Sequence, residues 1–272
     1  MIKGAITNSW RTHLQNHDLI ALAKEAEARG ARHIELRQTC LGNCETGEGD
    51  SWRPVYDNFQ ALVDALPSMS FNLAMALPCL TATIDPKGEL FQSALKTAKL
   101  VNPTNPHLRV VDPAQFDGAW KTPADIPATA MGLVELTREA ATQGVTLSIE
   151  NSGQPIGSLA MLVREVRSKL PGDAGIRFGL CPDPTNQLRR FPGTDPVADM
   201  QALPLDMIKI VHFKQTSKGE ALPTVTDGDV DSSLVMKSLE GKGYKGALVM
   251  EIPPHPDVFE NLSASYVYLG LN

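Results

Sequence analysis

The sequence predicts a single-domain α/β protein, a closed (β/α)8 barrel. Short apolar segments alternate with amphipathic segments along the chain, as strands and helices do in βα units. Eight such units in 272 residues leave 34 residues for each, enough for a strand and its crossover helix. Residues 4–9, after the first strand, lack the glycine-rich turn of an open dinucleotide-binding sheet. We therefore interpret residues 1–272 as one TIM barrel domain.

The predicted strands are apolar almost throughout, which is typical of parallel strands that are covered on both faces. They have no alternating polar face, so a polar residue at a strand end stands out. The strands are predicted over residues 3–7, 33–37, 70–77, 108–111, 145–150, 176–183, 207–212 and 247–251.

The predicted helices follow the strands with short connections. The first begins after Asp18 and runs to Arg29, since its apolar residues fall at helical spacing and Gly30 is a typical stop. The others are predicted over about residues 55–66, 88–101, 127–142, 158–170, 197–203, 232–239 and 258–262.

The charge balance argues against a nucleic-acid partner. The formal net charge is -6, and no basic run is longer than Arg189-Arg190, whereas phosphate backbones are bound by clustered cations. No stretch of 18 apolar residues predicts a membrane span, and the N-terminus does not resemble a signal peptide. We expect a cytoplasmic protein with a small-molecule substrate, no nucleic-acid or membrane partner, and a possible homo-oligomeric state.

Four cysteines are too few for a disulfide scaffold in a chain of this length. Cys40 and Cys44 are spaced Cys-x3-Cys, and Cys79 follows another strand end. A second, thiolate metal site there is conceivable, but a matching second pair is absent from the sequence. Cys181, inside an apolar run, is interpreted as a small core residue.

Four polar residues stand at the carboxyl ends of four predicted strands: Glu150, Asp183, His212 and Glu251. We refer to them below as the four-residue cluster. In a barrel the carboxyl ends of the strands converge on one face, where active sites are built. Three carboxylates and one imidazole are therefore expected to meet at one place and to bind a metal ion.

Each member of the four-residue cluster also has a structural explanation, such as a helix cap, a turn, a core histidine or a salt bridge. Their common placement favours the metal site, because unpaired neighbouring carboxylates would repel one another and raise their own pKa values. A divalent cation removes that repulsion. Three oxygen ligands and one nitrogen suit a fairly hard ion such as Mn²⁺, Mg²⁺ or Co²⁺.

The second half of the chain resembles the xylose isomerase-like TIM barrel family, which includes sugar isomerases, ketose 3-epimerases and endonuclease IV-type (AP endonuclease 2) enzymes. In the first half of the chain, only the spacing of the predicted strands and residues 34–37 match the family. The resemblance is carried by the segments 148–151, 183–186, 211–214, 228–231, 243–246 and 250–251.

This resemblance implies that the four-residue cluster binds the catalytic metal. It also implies a metal-dependent isomerase or epimerase of a sugar or small polyhydroxy carbonyl compound, acting by proton abstraction through a metal-stabilised enediolate. In related epimerases the first and last metal-bound glutamates are the acid and base, which makes Glu150 and Glu251 the catalytic candidates here.

Three further residues are predicted to bind substrate. Asn186 stands where some epimerases have a histidine that contacts the substrate. Lys214 is two residues after His212, so it points the same way and is a candidate to neutralise an anionic substrate group. Gln215 departs from the acid that often follows this lysine. Arg37, at the end of strand two, is a candidate anion or hydroxyl contact, with a salt bridge as the alternative.

Other functions remain open. A hydro-lyase of the dehydroshikimate dehydratase type starts with the same proton loss, so the sequence separates it poorly from an isomerase. An abasic-site endonuclease is disfavoured, because such enzymes use several zinc ions and many histidines, whereas this chain has 6 His and an acidic balance. A non-catalytic binding protein is possible on any fold, but all four expected ligands are present.

Overall fold

Eight parallel strands form the central sheet of the computed structural model, which describes residues 1–271. They are β1 (Ile2–Ile6), β2 (His33–Arg37), β3 (Ser70–Ala76), β4 (His107–Val111), β5 (Thr146–Glu150), β6 (Phe178–Cys181), β7 (Val211–Phe213) and β8 (Ala247–Met250).

The sheet closes on itself. Its hydrogen-bonded order is β6–β5–β4–β3–β2–β1–β8–β7, and all neighbours are parallel. Leu180 and Ile208 form a parallel bridge between the two remaining edges. The Lys209 amide donates to the Leu180 carbonyl at 2.9 Å, and the His212 amide donates to the Pro182 carbonyl at 3.1 Å. The predicted (β/α)8 barrel is confirmed.

Helices surround the sheet and bury its outer face. Asp18 caps the first by accepting from the Ala21 amide at 2.7 Å, and Gly30 follows it with a φ of 100°. Glycine tolerates this left-handed conformation, so the helix ends within one residue of the prediction. The α-helices are α1 (Leu19–Ala28), α2 (Tyr56–Ala65), α3 (Glu89–Val101), α4 (Leu133–Thr142), α5 (Ile156–Ser168), α6 (Pro184–Arg190), α7 (Pro196–Ala202), α8 (Ser232–Gly241) and α9 (Val258–Tyr268).

Three elements differ from the sequence-based prediction. Helix α6 was not predicted, because it has only seven residues and its Asp-Pro start is also typical of a turn. The helix predicted from residue 127 starts as the 3-10 helix Ala128–Gly132 and becomes α-helical in α4. Helix α9 continues past residue 262, because Tyr266 extends the buried face that includes Leu262 by one turn.

Two short antiparallel strand pairs lie in the loops at the carboxyl end of the barrel. Glu45–Thr46 pairs with Arg53–Pro54 after β2, and Thr216–Ser217 pairs with Glu220–Ala221 after β7. Within residues 1–271, every helix is too short or too polar to span a lipid bilayer.

The barrel interior is polar where it approaches the four-residue cluster. Ile34 and Leu36 on β2 belong to the main hydrophobic core, while Glu35 between them contacts His212 of β7. Because β2 and β7 are not neighbours in the sheet, this contact crosses the inside of the barrel. Arg109 of β4 joins Glu35 in the interior and is 1% exposed.

Candidate metal centre

The structure brings the four-residue cluster together at the carboxyl end of the barrel. Glu150 is the last residue of β5, Asp183 caps α6 just after β6, His212 lies in β7, and Glu251 follows β8 directly. One potential ligand atom from each residue lies within 4.8 Å of all the others. Within residues 1–271 this is the one group of three or more His, Cys, Asp or Glu side chains with such geometry.

The His212 ring is held between carboxylates on both edges. Its Nε2 lies 3.0 Å from Glu35 Oε1, while its Nδ1 lies 3.0 Å from Glu251 Oε2 and 3.6 Å from Glu150 Oε1. Glu35 can only accept, so Nε2 carries a proton, as in the carboxylate–histidine–metal arrangements of many metal sites. Nδ1 then faces carboxylate oxygens, and this contact is favourable only with a cation between them, either a proton or a metal ion.

Asp183 is fully buried and is fixed by its neighbours. Its amide donates to Asn151 Oδ1 at 2.6 Å, and Asn151 Nδ2 donates back to the Asp183 carbonyl at 2.9 Å. Oδ1 accepts from the Asn186 amide at 2.8 Å. Oδ2 is buried without a directional hydrogen bond, although the Lys214 ammonium lies 2.9 Å away. One aspartate oxygen is thus left for another cation.

Glu150 is tied to the polar interior of the barrel. Arg109 Nη1 lies 2.8 Å from Glu150 Oε2, and the same guanidinium donates from Nε to Glu35 Oε1 at 3.1 Å. Asn186 Nδ2 donates to Glu150 Oε1 at 2.9 Å. These contacts fix the carboxylate at the rim of the barrel.

Glu251 is held from the other side of the site. Asn8, just after β1, donates from Nδ2 to Glu251 Oε1 at 2.8 Å. The Lys214 ammonium lies 2.7 Å from Glu251 Oε2. Asn8 Oδ1 is buried without a hydrogen-bond partner within residues 1–271, so an acceptor remains beside the cluster.

The pKa values of the three carboxylates of the cluster are shifted in different directions. Burial opposes ionisation of Glu150, but the Arg109 charge outweighs it and lowers the Glu150 pKa. Burial acts in the same way on Glu251, and the Lys214 charge holds its pKa well below the usual range. At Asp183 burial prevails over Lys214, with repulsion from the neighbouring carboxylates, and the pKa is raised. The mutual repulsion expected from the sequence is thus offset at two of the three sites by the protein's own cations.

The charge count of the site fits a divalent cation. Glu35 and the three carboxylates of the cluster contact only two cationic side chains, Arg109 and Lys214. Burial opposes protonation of His212, but neighbouring charges, including Glu35 and Glu150, raise its pKa well above the usual range. A metal ligand has to be neutral, and with His212 neutral two negative charges are left uncompensated in a buried site, which is unfavourable. The buried oxygens on Asp183 and Asn8 that accept no hydrogen bond support the same conclusion. The cluster can therefore bind a metal ion, with oxygen and nitrogen ligands that suit a hard or borderline ion.

A cavity of about 340 Å³ opens beside the cluster. This volume lies within the range of roughly 300–1,000 Å³ of small-molecule sites. The three predicted substrate-binding residues all line it: Arg37, Asn186 and Lys214. Glu150 and Glu251 line it too, so both candidate catalytic carboxylates face the same space.

The family model of the xylose isomerase-like TIM barrel matches residues 88–266, which is more than half of the chain. The chain belongs to this family. No curated protein matches the sequence.

Solved structures with the same fold include enzymes of several kinds. One is the probable 3-DHS dehydratase AsbF, involved in petrobactin synthesis, from Bacillus anthracis, with 16% identity, a TM-score of 0.72 and 99% of both chains covered. A D-psicose 3-epimerase with D-tagatose from Clostridium cellulolyticum H10 has 12% identity, a TM-score of 0.67 and 99% of both chains covered. The IOLI protein with a binding zinc atom has 15% identity and a TM-score of 0.67, covering 99% of this chain and 95% of that one. At these identities the likeness establishes the fold.

Three site residues were missed by the sequence analysis: Asn8, Glu35 and Arg109. Glu35 and Arg109 had a recognisable signal, because each is a charged residue inside an apolar strand segment. A buried charge needs a partner, so two such residues in one barrel could have been paired. Asn8 had no comparable signal, since asparagine after a strand is common in turns.

Replacement of Glu35 is expected to destabilise the protein strongly. Glu35→Ala leaves the buried Arg109 guanidinium without one of its two carboxylates, and loss of one partner of a buried ion pair costs about 3–5 kcal/mol. Urea unfolding of Glu35→Ala should therefore show a much lower midpoint, while Glu240→Ala, at an exposed position on α8, should unfold like wild type. Equal stability of Glu35→Ala and wild type would contradict this role.

The cysteines form no second metal site in the part of the chain that the structure describes. Cys40, Cys44, Cys79 and Cys181 are free and buried. Burial raises the pKa of Cys44 and of Cys181 to about 12, so these thiols are protonated at neutral pH. Cys181 lies in a small apolar cluster, as its position in an apolar run predicts.

Proposed function

We propose that this protein is a divalent-metal-dependent isomerase or epimerase of a sugar or small polyhydroxy carbonyl compound. One observation carries the proposal: three carboxylates and an imidazole converge beside a cavity of small-molecule size, and two of the carboxylates line that cavity. The site lies at the carboxyl end of the barrel strands, where barrel enzymes build active sites.

The four-residue cluster would hold the ion. Mn²⁺, Mg²⁺ and Co²⁺ all suit three carboxylates and one imidazole. Bound there, the cation supplies Lewis acidity, which polarises a substrate carbonyl and stabilises the negative charge that develops when the neighbouring carbon loses its proton. Glu35 keeps the His212 ring oriented with Nδ1 toward Glu150 and Glu251.

Glu150 and Glu251 are the proposed acid/base pair. They extend from β5 and from the end of β8, strands that are not neighbours in the sheet, so they approach the substrate position from different directions. One glutamate, ionised, takes the proton from the substrate carbon, and the other, protonated when the substrate binds, returns its own proton to the opposite face or to the next atom. Proton exchange with water then restores the starting state of both side chains. Burial opposes ionisation of both glutamates, but the Arg109 charge lowers the pKa of Glu150 and the Lys214 charge lowers the pKa of Glu251, which favours the ionised form that accepts a proton.

Two amide side chains are placed to orient substrate hydroxyl groups. Asn186 bridges Glu150 and Lys214, with Nδ2 donating at 2.9 Å and Oδ1 accepting at 3.2 Å. Asn8 presents the buried Oδ1 that lacks a partner and lines the same cavity. A hydroxyl donating to this oxygen would satisfy it.

Deuterium incorporation is the direct test of the proton transfer. Wild-type protein loaded with Mn²⁺ and incubated in D₂O with a panel of ketoses and keto acids should introduce deuterium beside the carbonyl of its substrate. NMR should show deuterium at that carbon together with an isomerised or epimerised product. Chelator treatment should stop both, and added Mn²⁺ or Co²⁺ should restore them.

The other outcomes of this test are informative. A product lighter by one water would assign hydro-lyase chemistry to the same residues. Exchange and turnover that persist in fully metal-depleted protein would contradict the proposal. No nicking of DNA at abasic sites is expected, since the chain has a net charge of -6 and no long basic run.

A further inference from the structure

The cavity beside the four-residue cluster contains two cationic side chains that the proposed chemistry does not use. Arg11 and Arg37 both line it, together with Gln115, Ser152 and Glu150. We call Arg11 and Arg37 the arginine pair. Within residues 1–271 neither arginine forms a salt bridge, although both share the cavity with acidic residues.

Arg37 is a half-buried cation with spare donors. Its backbone amide donates to Thr7 Oγ1 at 2.9 Å, and Nη1 donates to the Gln38 carbonyl at 2.8 Å. In the described chain its side chain makes no other hydrogen bond, whereas a guanidinium has five N–H groups. Burial, together with the charge of Arg109, lowers the Arg37 pKa, so its charge is not fully compensated by the protein.

The carboxylate of Glu45, in the loop after β2, is already occupied by hydrogen bonds. Glu45 Oε1 accepts from the Leu41 amide at 2.9 Å. Its Oε2 accepts from the Thr39 amide at 2.9 Å and from Trp52 Nε1 at 2.7 Å. Glu45 therefore holds the loop after β2 together and is not an ion-pair partner of Arg37.

Arg11 stands at the open side of the same cavity. It follows the 3-10 helix Thr7–Trp10 and is exposed. Its guanidinium lies beside the Cys40 thiol, whose contact raises the Arg11 pKa. A guanidinium fork in this position is suited to a planar or tetrahedral anion, which it can bind through two parallel hydrogen bonds.

Lys214, which the sequence suggested as an anion contact, is engaged elsewhere. Its ammonium lies 2.9 Å from Asp183 Oδ2, 2.7 Å from Glu251 Oε2 and 3.2 Å from Asn186 Oδ1. Two carboxylates therefore compensate the charge of this ammonium group within the protein. The arginine pair is therefore the group available to bind an anion of the substrate.

We propose that the substrate carries a carboxylate or phosphate group, which the arginine pair binds while the hydroxyl and carbonyl end lies at the four-residue cluster. The substrate is thus a sugar acid or a sugar phosphate, in contrast to a neutral ketose. This inference rests on the proposed function for the position of the reacting end, but anion binding itself needs no turnover.

Three ketohexose probes that differ only at carbon 6 separate the possibilities: D-fructose, D-fructose 6-phosphate and D-fructuronate. Their affinities for Mn²⁺-loaded protein are measured by calorimetry. Charged hydrogen bonds of about 1.5–3 kcal/mol predict a 10- to 150-fold tighter binding of an anionic probe than of D-fructose. The tighter of the two anions identifies phosphate or carboxylate as the recognised group. Inorganic phosphate and acetate, followed by thermal unfolding, provide probes without a sugar scaffold.

Variants assign the preference to the arginine pair. Arg11→Gln and Arg37→Gln should each reduce it, and the double variant should bind D-fructose and its anionic relatives equally. Arg37→Lys keeps the positive charge but lacks the paired N–H donors of a guanidinium, so it should fold even if Arg37→Gln does not. It should retain part of the preference for anionic probes over D-fructose. Arg189→Gln is the matched control, because Arg189 is exposed and lines the adjacent cavity on the other side of Lys214.

The inference would be overturned if wild type showed no preference for any anionic probe, including a lack of response to phosphate and acetate. It would also be overturned if the preference survived in the double variant or disappeared in Arg189→Gln. Failure of the deuterium exchange test with intact anion preference would remove the proposed reaction and leave the anion site in place.

Discussion

Glu150→Gln should reduce turnover by about 10²- to 10⁴-fold, the usual contribution of a positioned acid or base. The substitution keeps the length of the side chain and an oxygen that can accept from Asn186. It removes the negative charge that takes a proton and that pairs with Arg109 Nη1 at 2.8 Å. Turnover of the substrate found by deuterium exchange, measured at saturating Mn²⁺, is the readout.

Two comparisons make the Glu150 result specific. Glu150→Asp keeps the negative charge on a side chain that is shorter by one methylene group. It should fold with the Arg109 contact partly retained, but should still lose most activity because the carboxylate no longer reaches its position. Glu240→Gln, at the exposed position on α8, should be as active as wild type. A folded Glu150→Gln protein that turns over within a few-fold of wild type would exclude Glu150 from the acid/base pair.

Asp183→Asn should abolish the stabilisation of the protein by metal ions. In wild type, Mn²⁺ at 100 times its dissociation constant should raise the free energy of unfolding by about 2.7 kcal/mol. The variant loses the carboxylate charge but keeps the helix cap, since asparagine and aspartate are equally good caps and Oδ1 can still accept from the Asn186 amide. Ligand binding and helix capping are thereby separated.

The measurement is the thermal unfolding midpoint with and without Mn²⁺. Asp183→Asn without ion should unfold close to wild type without ion. The cap is intact, and the loss of the Lys214 contact is offset by removal of a carboxylate whose ionisation burial and the neighbouring carboxylates oppose. The matched control is Asp57→Asn, an exposed position on α2, which should respond to Mn²⁺ as wild type does. An undiminished Mn²⁺ response of Asp183→Asn would remove this residue from the ligand set.

The barrel could be predicted because its signals are local. Each strand is a short apolar run and each long helix has a periodic apolar face, so their order follows from the sequence. Helix α6 lacked such a face, since it is seven residues long and its buried residues are mainly polar or proline. The loop pairs after β2 and β7 consist of two-residue strands, which leave no periodic pattern.

The convergence of the four-residue cluster could be predicted for a geometric reason. Parallel strands in a closed barrel end on one face, so residues at the strand ends must lie near one another. The partners of the cluster could not be found in this way. Glu35 reaches His212 across the interior from β2, and Lys214, which lines the cavity, also contacts Asp183 and Glu251. Both depend on side-chain directions that strand order does not determine.

The central claim is that the four-residue cluster binds a divalent cation. Anomalous X-ray diffraction from crystals grown with Mn²⁺ tests it most directly. We predict one strong anomalous peak at ligand distance from Glu150, Asp183, His212 and Glu251, with the peak absent in Asp183→Asn. A manganese peak elsewhere, or no peak at the cluster, would contradict it.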